Sequence, residues 1–138
     1  MMQKSKLAFL IILALLPLLT AMSALQNQNP EKIPVPEKKY SATFIDQTDL
    51  MMDCRNISID GDTFVEGKRG NGTITIPFEI INEVSFMLEG EKLTGVIKLR
   101  DGSIVQLLLL KNQKAYGQTK YGTYQIKLSD LKKMTITK

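Results

Sequence analysis

After residue 39 the chain alternates apolar and polar positions with a period of two, and turn residues break the alternation at short intervals. Segments 40–45, 50–54, 57–59, 63–66, 73–77, 84–88, 93–99, 104–110, 115–119 and 122–128 read as strands, and Met134 and Ile136 lie on a last one. Asp60-Gly61, Asn71-Gly72, Glu89-Gly90-Glu91 and Asp101-Gly102 supply the turns, because Asn, Asp and Gly tolerate the backbone that tight hairpins need. Segments 78–83 and 129–131 are too short for an ordinary helix. Each reads as a single 3₁₀ or α turn that drops an apolar residue, Ile81 or Leu131, into the core. Segment 104–110 is apolar at nearly every position and predicts a strand buried on both faces. Any part of it left exposed would mark a partner surface or a self-association face.

The pattern is written twice. Gly67, Gly72, Thr73 and Ile76 recur fifty positions later as Gly117, Gly122, Thr123 and Ile126. Ile81, Val84 and Phe86 recur as Leu131, Met134 and Ile136. Upstream, 45–54 aligns with 99–108 only if the first half carries four extra residues near 54–60. The expectation is all-β, with two quasi-repeated antiparallel units, 40–88 and 89–138, of about 50 residues each. A unit that small is near the lower limit for a self-sufficient core. The halves should therefore share one, as a β-sandwich or as paired small barrels.

The first 39 residues follow another grammar. Lys4 and Lys6 precede an apolar run over 7–19, and Ala21 and Ser23 sit as the small residues of a cleavage site before Ala24. Residues 1–23 read as an N-terminal signal helix, with an uncleaved anchor as the alternative because the run through Leu25 approaches spanning length. Residues 24–39, with Pro30, Pro34 and Pro36, read as a proline-rich linker. The expected location is exported, periplasmic or secreted, or held at the inner membrane if the segment stays.

Composition removes several functions. The formal charge of +4 falls to about +2 once Lys4 and Lys6 are set aside. That is too weak for a nucleic-acid surface. Cys54 is the single cysteine, so no internal disulfide forms. With no histidine, the commonest general base and every histidine-based triad are absent. No catalytic residue, cofactor or metal ligand is assigned.

The order of strands, a 3₁₀-like turn and a closing strand resembles SH3-like small barrels. Gly72 through Ile76 to Ile81, and Tyr121-Gly122 through Ile126 to Leu131, are also similar to the repeated segments of small exported bacterial β domains. That resemblance covers 40–138, implies an all-β fold and brings no site residues.

Three candidate sites remain. Loops 67–72 and 117–122 carry Lys68, Arg69, Lys120 and Tyr121 and could hold an anion or a partner, but with no phosphate-loop pattern and no helix predicted behind them the preferred reading is glycines that permit tight turns and charges that are solvated. Asp46, Asp49, Asp53, Asp60, Asp62 and Glu66 could offer oxygen ligands, but their spacing matches no calcium loop. Cys54 lies on the apolar phase of its strand and reads as buried rather than reactive. The expected function is an exported, non-enzymatic β module that binds or scaffolds a component of the bacterial cell envelope, with an envelope protein or a second copy as partner. The alternatives are a small-ligand or metal-binding protein or enzyme using the Asp-rich first half, and a membrane-tethered domain.

Overall fold

The computed structural model describes residues 33–137. The expected signal segment, 1–23, and linker residues 24–32 lie outside the described residues. The chain forms β1 (Ala42–Asp46), β2 (Met51–Ile59), β3 (Phe64–Arg69), β4 (Gly72–Pro77), β5 (Ile81–Glu89), β6 (Lys92–Leu99), β7 (Ile104–Leu109), β8 (Lys114–Thr119), β9 (Gly122–Lys127) and β10 (Leu131–Ile136). Single 3₁₀ turns, Phe78–Ile80 and Leu128–Asp130, precede β5 and β10. All ten strands join one antiparallel sheet in the order β4-β3-β7-β6-β5-β10-β1-β2-β8-β9, curled into a half-barrel. The all-β expectation holds. The sandwich and the paired barrels do not, because β5 and β10 pair at the centre and join what would have been separate sheets.

Registers explain the joint. Val84 faces Met134, flanked by Ser85 opposite Lys133 and Glu83 opposite Thr135. Outward from that pair, each side repeats the same pairing. Ile97 of β6 faces Val84, and Phe44 of β1 faces Met134. Leu107 of β7 faces Gly95, and Cys54 of β2 faces Ala42. Lys68 of β3 then faces Leu108, and Gln118 of β8 faces Arg55. The hairpin β3–β4 therefore joins β7 rather than β2, and β8–β9 joins β2 rather than β7. Cys54 thus corresponds to Leu107, one position from the alignment that sequence suggests. Thirteen positions separate Cys54 from Gly67 and ten separate Leu107 from Gly117, so the extra length is three residues rather than four.

The core lies on one face. Phe44, Ile57, Ile81, Val84, Ile97, Leu107, Leu131 and Met134 are fully buried. Register shifts after Ile81 and after Arg55 keep that face apolar where strict alternation would fail. In β2 the shift falls at Asn56, whose φ of 50° lets both Cys54 and Ile57 point inward. The 3₁₀ turns plug the core with Phe78 and Leu128, one turn before the residues expected from sequence, which are buried too. Tyr40 meets Phe78 edge-on, with ring centroids 5.8 Å apart.

Three details differ from the sequence pattern. β7 buries Leu107 and Leu109 but exposes Ile104 and Leu108, so one face is covered, not two. Its apolar run reflects β propensity as well as burial. The β3–β4 turn is Gly70-Asn71, since Arg69 already pairs with Gly72; Gly70 adopts the positive φ of 61°. Residues 33–39 form part of the compact unit: Pro36 is buried, and Ile33, Pro34, Val35 and Pro36 line a small cavity with Tyr116. The prolines fix an extended segment that needs few hydrogen-bond donors to lie on the sheet.

Candidate functional site

The ladder between β2 and β8 is short. It registers Arg55 with Gln118, Ser58 with Tyr116 and Ile59 with Ala115, and goes no further. Among the described residues, 51–54 therefore have β1 on one side and no strand on the other. The bond from Asp46 N–H to Leu50 O, 3.1 Å, sets the phase of the β1–β2 hairpin. By the alternation of an antiparallel ladder, Met52 and Cys54 bond to β1, while Met51 and Asp53 turn their N–H and C=O away from it. Across from them stands the β8–β9 turn. Thr119 and Gly122 close that hairpin and leave Lys120 and Tyr121 at its tip.

Between strand and tip lies an open groove of about 510 Å³. Thr43, Met51, Asp53 and Arg55 line one wall, and Lys120 and Tyr121 the other. The Thr43 hydroxyl donates to Asp53 Oδ1 at 2.8 Å. The Lys120 ammonium sits 5.0 Å from the centroid of the Tyr121 ring, itself 78% exposed. Among the described residues, neither Arg55 nor Lys120 forms an ion pair. Among the described residues, the groove thus offers two cations without an ion pair, one exposed aromatic ring and a stretch of unpaired strand.

Cys54 forms part of the floor but is closed to chemistry. It is buried, and burial, reinforced by the neighbouring Asp53 charge, pushes its thiol up to about 11. The thiolate that a nucleophile needs is therefore suppressed.

The candidate loops fall at opposite ends of the strand order. Lys120 and Tyr121 enter the groove; Lys68 and Arg69 belong to the other hairpin. There Arg69 Nη1 donates to the backbone oxygen of Gln106 at 3.4 Å. The acids do not converge either. Asp46 accepts from the Thr48 hydroxyl and from the amides of Thr48 and Leu50, which holds its carboxyl below the usual range, the hydroxyl contributing most. Asp49 pairs with Lys132 at 2.6 Å, and Glu66 accepts from the Thr75 hydroxyl at 2.7 Å. Among the described residues no three His, Cys, Asp or Glu side chains are placed to hold a metal ion.

Sequence reasoning named Asp53 only within the acidic set and missed Thr43, Met51 and Arg55. A signal existed. The outward positions Met51, Asp53 and Arg55 correspond to Ile104, Gln106 and Leu108, so only the first set carries charge.

The chain belongs to a family described as "Uncharacterised protein", whose model matches residues 36–138. The match begins at the buried Pro36, inside the segment that lies on the sheet. No curated protein and no solved structure matches the chain.

Proposed function

We propose that this chain is an exported, non-enzymatic β module that binds or scaffolds a component of the bacterial cell envelope, and that it does so through the groove beside β2. The observation that carries the reading is the unfinished ladder at residues 51–54, flanked by Arg55 and Lys120, both free of ion pairs among the described residues. A groove of this volume is within the range of ligand sites. Export rests on Lys4, Lys6, the apolar run and the small residues Ala21 and Ser23. Two quasi-repeated units belong to the same reading, supported by the matched registers on either side of Val84 and Met134. So does the likeness of each strand, 3₁₀ turn and strand series to SH3-like grammar.

The test places a photo-crosslinker at Tyr121 of the full chain in expressing cells, with the same reagent at Lys68 as the reference position. The reading expects an envelope component captured from position 121, absent from position 68 and lost in the Arg55→Ser/Lys120→Ser double variant. Equal capture from both positions, or capture indifferent to the double variant, would sink it. N-terminal sequencing of the mature protein checks export separately and should begin at Ala24.

A further inference from the structure

We infer that the groove takes an extended peptide carrying an acidic side chain, which adds to the sheet as a strand beside residues 51–53 of β2. This rests on the binding reading above and names the ligand class.

The first argument is the backbone. Met51 and Asp53 direct N–H and C=O groups into the groove, and β8 leaves the ladder before reaching them. A sheet edge of this kind is completed by an added strand, whose main chain supplies affinity and whose alternate side chains supply specificity.

The second argument is the other end of the sheet, where the corresponding gap is filled from within. Gln106 of β7 faces Val96 as Asp53 of β2 faces Thr43, and its carbonyl likewise turns away from the hairpin partner. Arg69 reaches across and donates to that carbonyl. The residue in Arg69's place beside the groove is Thr119. Its hydroxyl is committed to its own turn, donating to Gly122 O at 2.8 Å and accepting from the Tyr121 amide at 3.0 Å. Among the described residues, one gap is therefore capped and the other left open.

The third argument is charge. The Asp53 carboxylate is already engaged by Thr43. Arg55 and Lys120 border the open strand and form no ion pair among the described residues. A carboxylate on the added strand supplies the missing charge, and the Tyr121 ring beside Lys120 gives its neighbouring side chain an apolar surface.

The experiment titrates the full ¹⁵N-labelled chain with an acetylated, amidated octapeptide of alternating Thr and Glu, and follows the amides of Met51, Asp53, Arg55 and Tyr121 by NMR. These amides should shift together and saturate. A Thr/Lys octapeptide, and a Thr/Glu octapeptide N-methylated at alternate amides, should each bind at least tenfold more weakly. Thr119→Arg, checked for an intact spectrum, should weaken the acidic peptide at least fivefold by supplying the missing guanidinium. Equal binding of the N-methylated peptide overturns strand addition. Equal shifts with acetate alone overturn the peptide in favour of a bare anion. Silence at these amides while Tyr121 still crosslinks its partner overturns this inference and spares the binding reading; silence in both experiments removes both.

Discussion

The hairpins β3–β4 and β8–β9 close the two ends of one sheet, and residue for residue they are built alike. Gly67 faces Ile74 and Gly117 faces Tyr124, each two-residue turn follows a matching pair, and each hairpin feeds a 3₁₀ turn whose first residue is buried. They differ in what they do to the strand beside them. One sends Arg69 across to the Gln106 carbonyl; the other keeps Thr119 in its own turn and leaves a groove. Inward positions are constrained by packing and so stay small or apolar in both hairpins. Arg69 and Thr119 follow Gly67 and Gly117 on the same strand phase, but at strand ends that clear the core they are free to diverge, and a single guanidinium separates a closed end from an open one.

The largest effect should come from the glycines that the hairpins share. Neither Gly67 nor Gly117 has a positive φ, so space rather than turn geometry requires them. A Cβ at position 117 would lie 2.6 Å from Cys54 Cβ, and one at position 67 would lie 2.8 Å from Leu107 Cβ and 2.9 Å from Leu108 O. Gly117→Ala and Gly67→Ala should each lose about 3 kcal/mol in urea unfolding, the upper end of overpacking costs. Adding Cys54→Gly to Gly117→Ala should show a coupling of at least about 1 kcal/mol, because the clashing atom is gone. A loss below about 0.5 kcal/mol for either glycine would mean that the strands can separate, contrary to a shared close approach.

A second difference is the inward residue under each hairpin: Leu107 at the closed end, Cys54 at the open one. Only the latter titrates. Its folded value is raised from 9.0 to about 11 by burial first and the Asp53 charge second. Between those values the unfolded thiol has released its proton and the folded one has not. The contribution is therefore complete below pH 9 and is lost as pH rises toward 11. Stability should fall by up to about 1.4 kcal/mol per pH unit in that window, roughly 2 to 3 kcal/mol in all. Tyrosines and lysines also titrate there, so the measurement is the difference between wild type and Cys54→Ala. The variant should show the shallower slope; parallel curves would place the thiol in water.

The strands, both 3₁₀ turns and the buried cysteine were legible in sequence because each depends on local alternation and on turn residues. Strand order was not. Nothing local tells β3 to leave β2 and join β7, since Gly67 fits against Leu107 as Gly117 fits against Cys54. The curl was hidden for the same reason: it follows from Val84 meeting Met134, residues fifty positions apart. Composition reports that residues 33–39 cannot form a helix; that 33–36 have a surface to lie on shows only in the structure. Half of the site was found. Lys120 and Tyr121 stood out in a glycine-bounded loop, whereas Arg55 became visible only once β8 was seen to stop beside it.

The smallest effect tests the turns that lead into the two neighbouring strands. Asp49, between β1 and β2, and Gly102, between β6 and β7, both have positive φ, 67° and 91°. Both donate to the residue three positions back, Asp46 O and Leu99 O, at 3.0 Å. The same backbone is thus made once with glycine and once with aspartate. A left-handed conformation costs an L residue about 1 kcal/mol, less for aspartate. Glycine avoids that strain but has more freedom to lose on folding. Asp49 also pairs with Lys132 at 2.6 Å, and that exposed pair contributes about 0 to 1 kcal/mol. The terms nearly cancel, so Asp49→Gly should change stability by no more than about 0.5 kcal/mol at low salt. Salt separates them. At about 1 M the ion pair is screened while the backbone strain is untouched, so Asp49→Gly should become the more stable protein. If the difference between variant and wild type does not move with salt, the Lys132 pair is not what offsets the strain. The carboxylate would then be no compensation for the missing glycine, and the two turns would tolerate either residue through their shared hydrogen bonds alone.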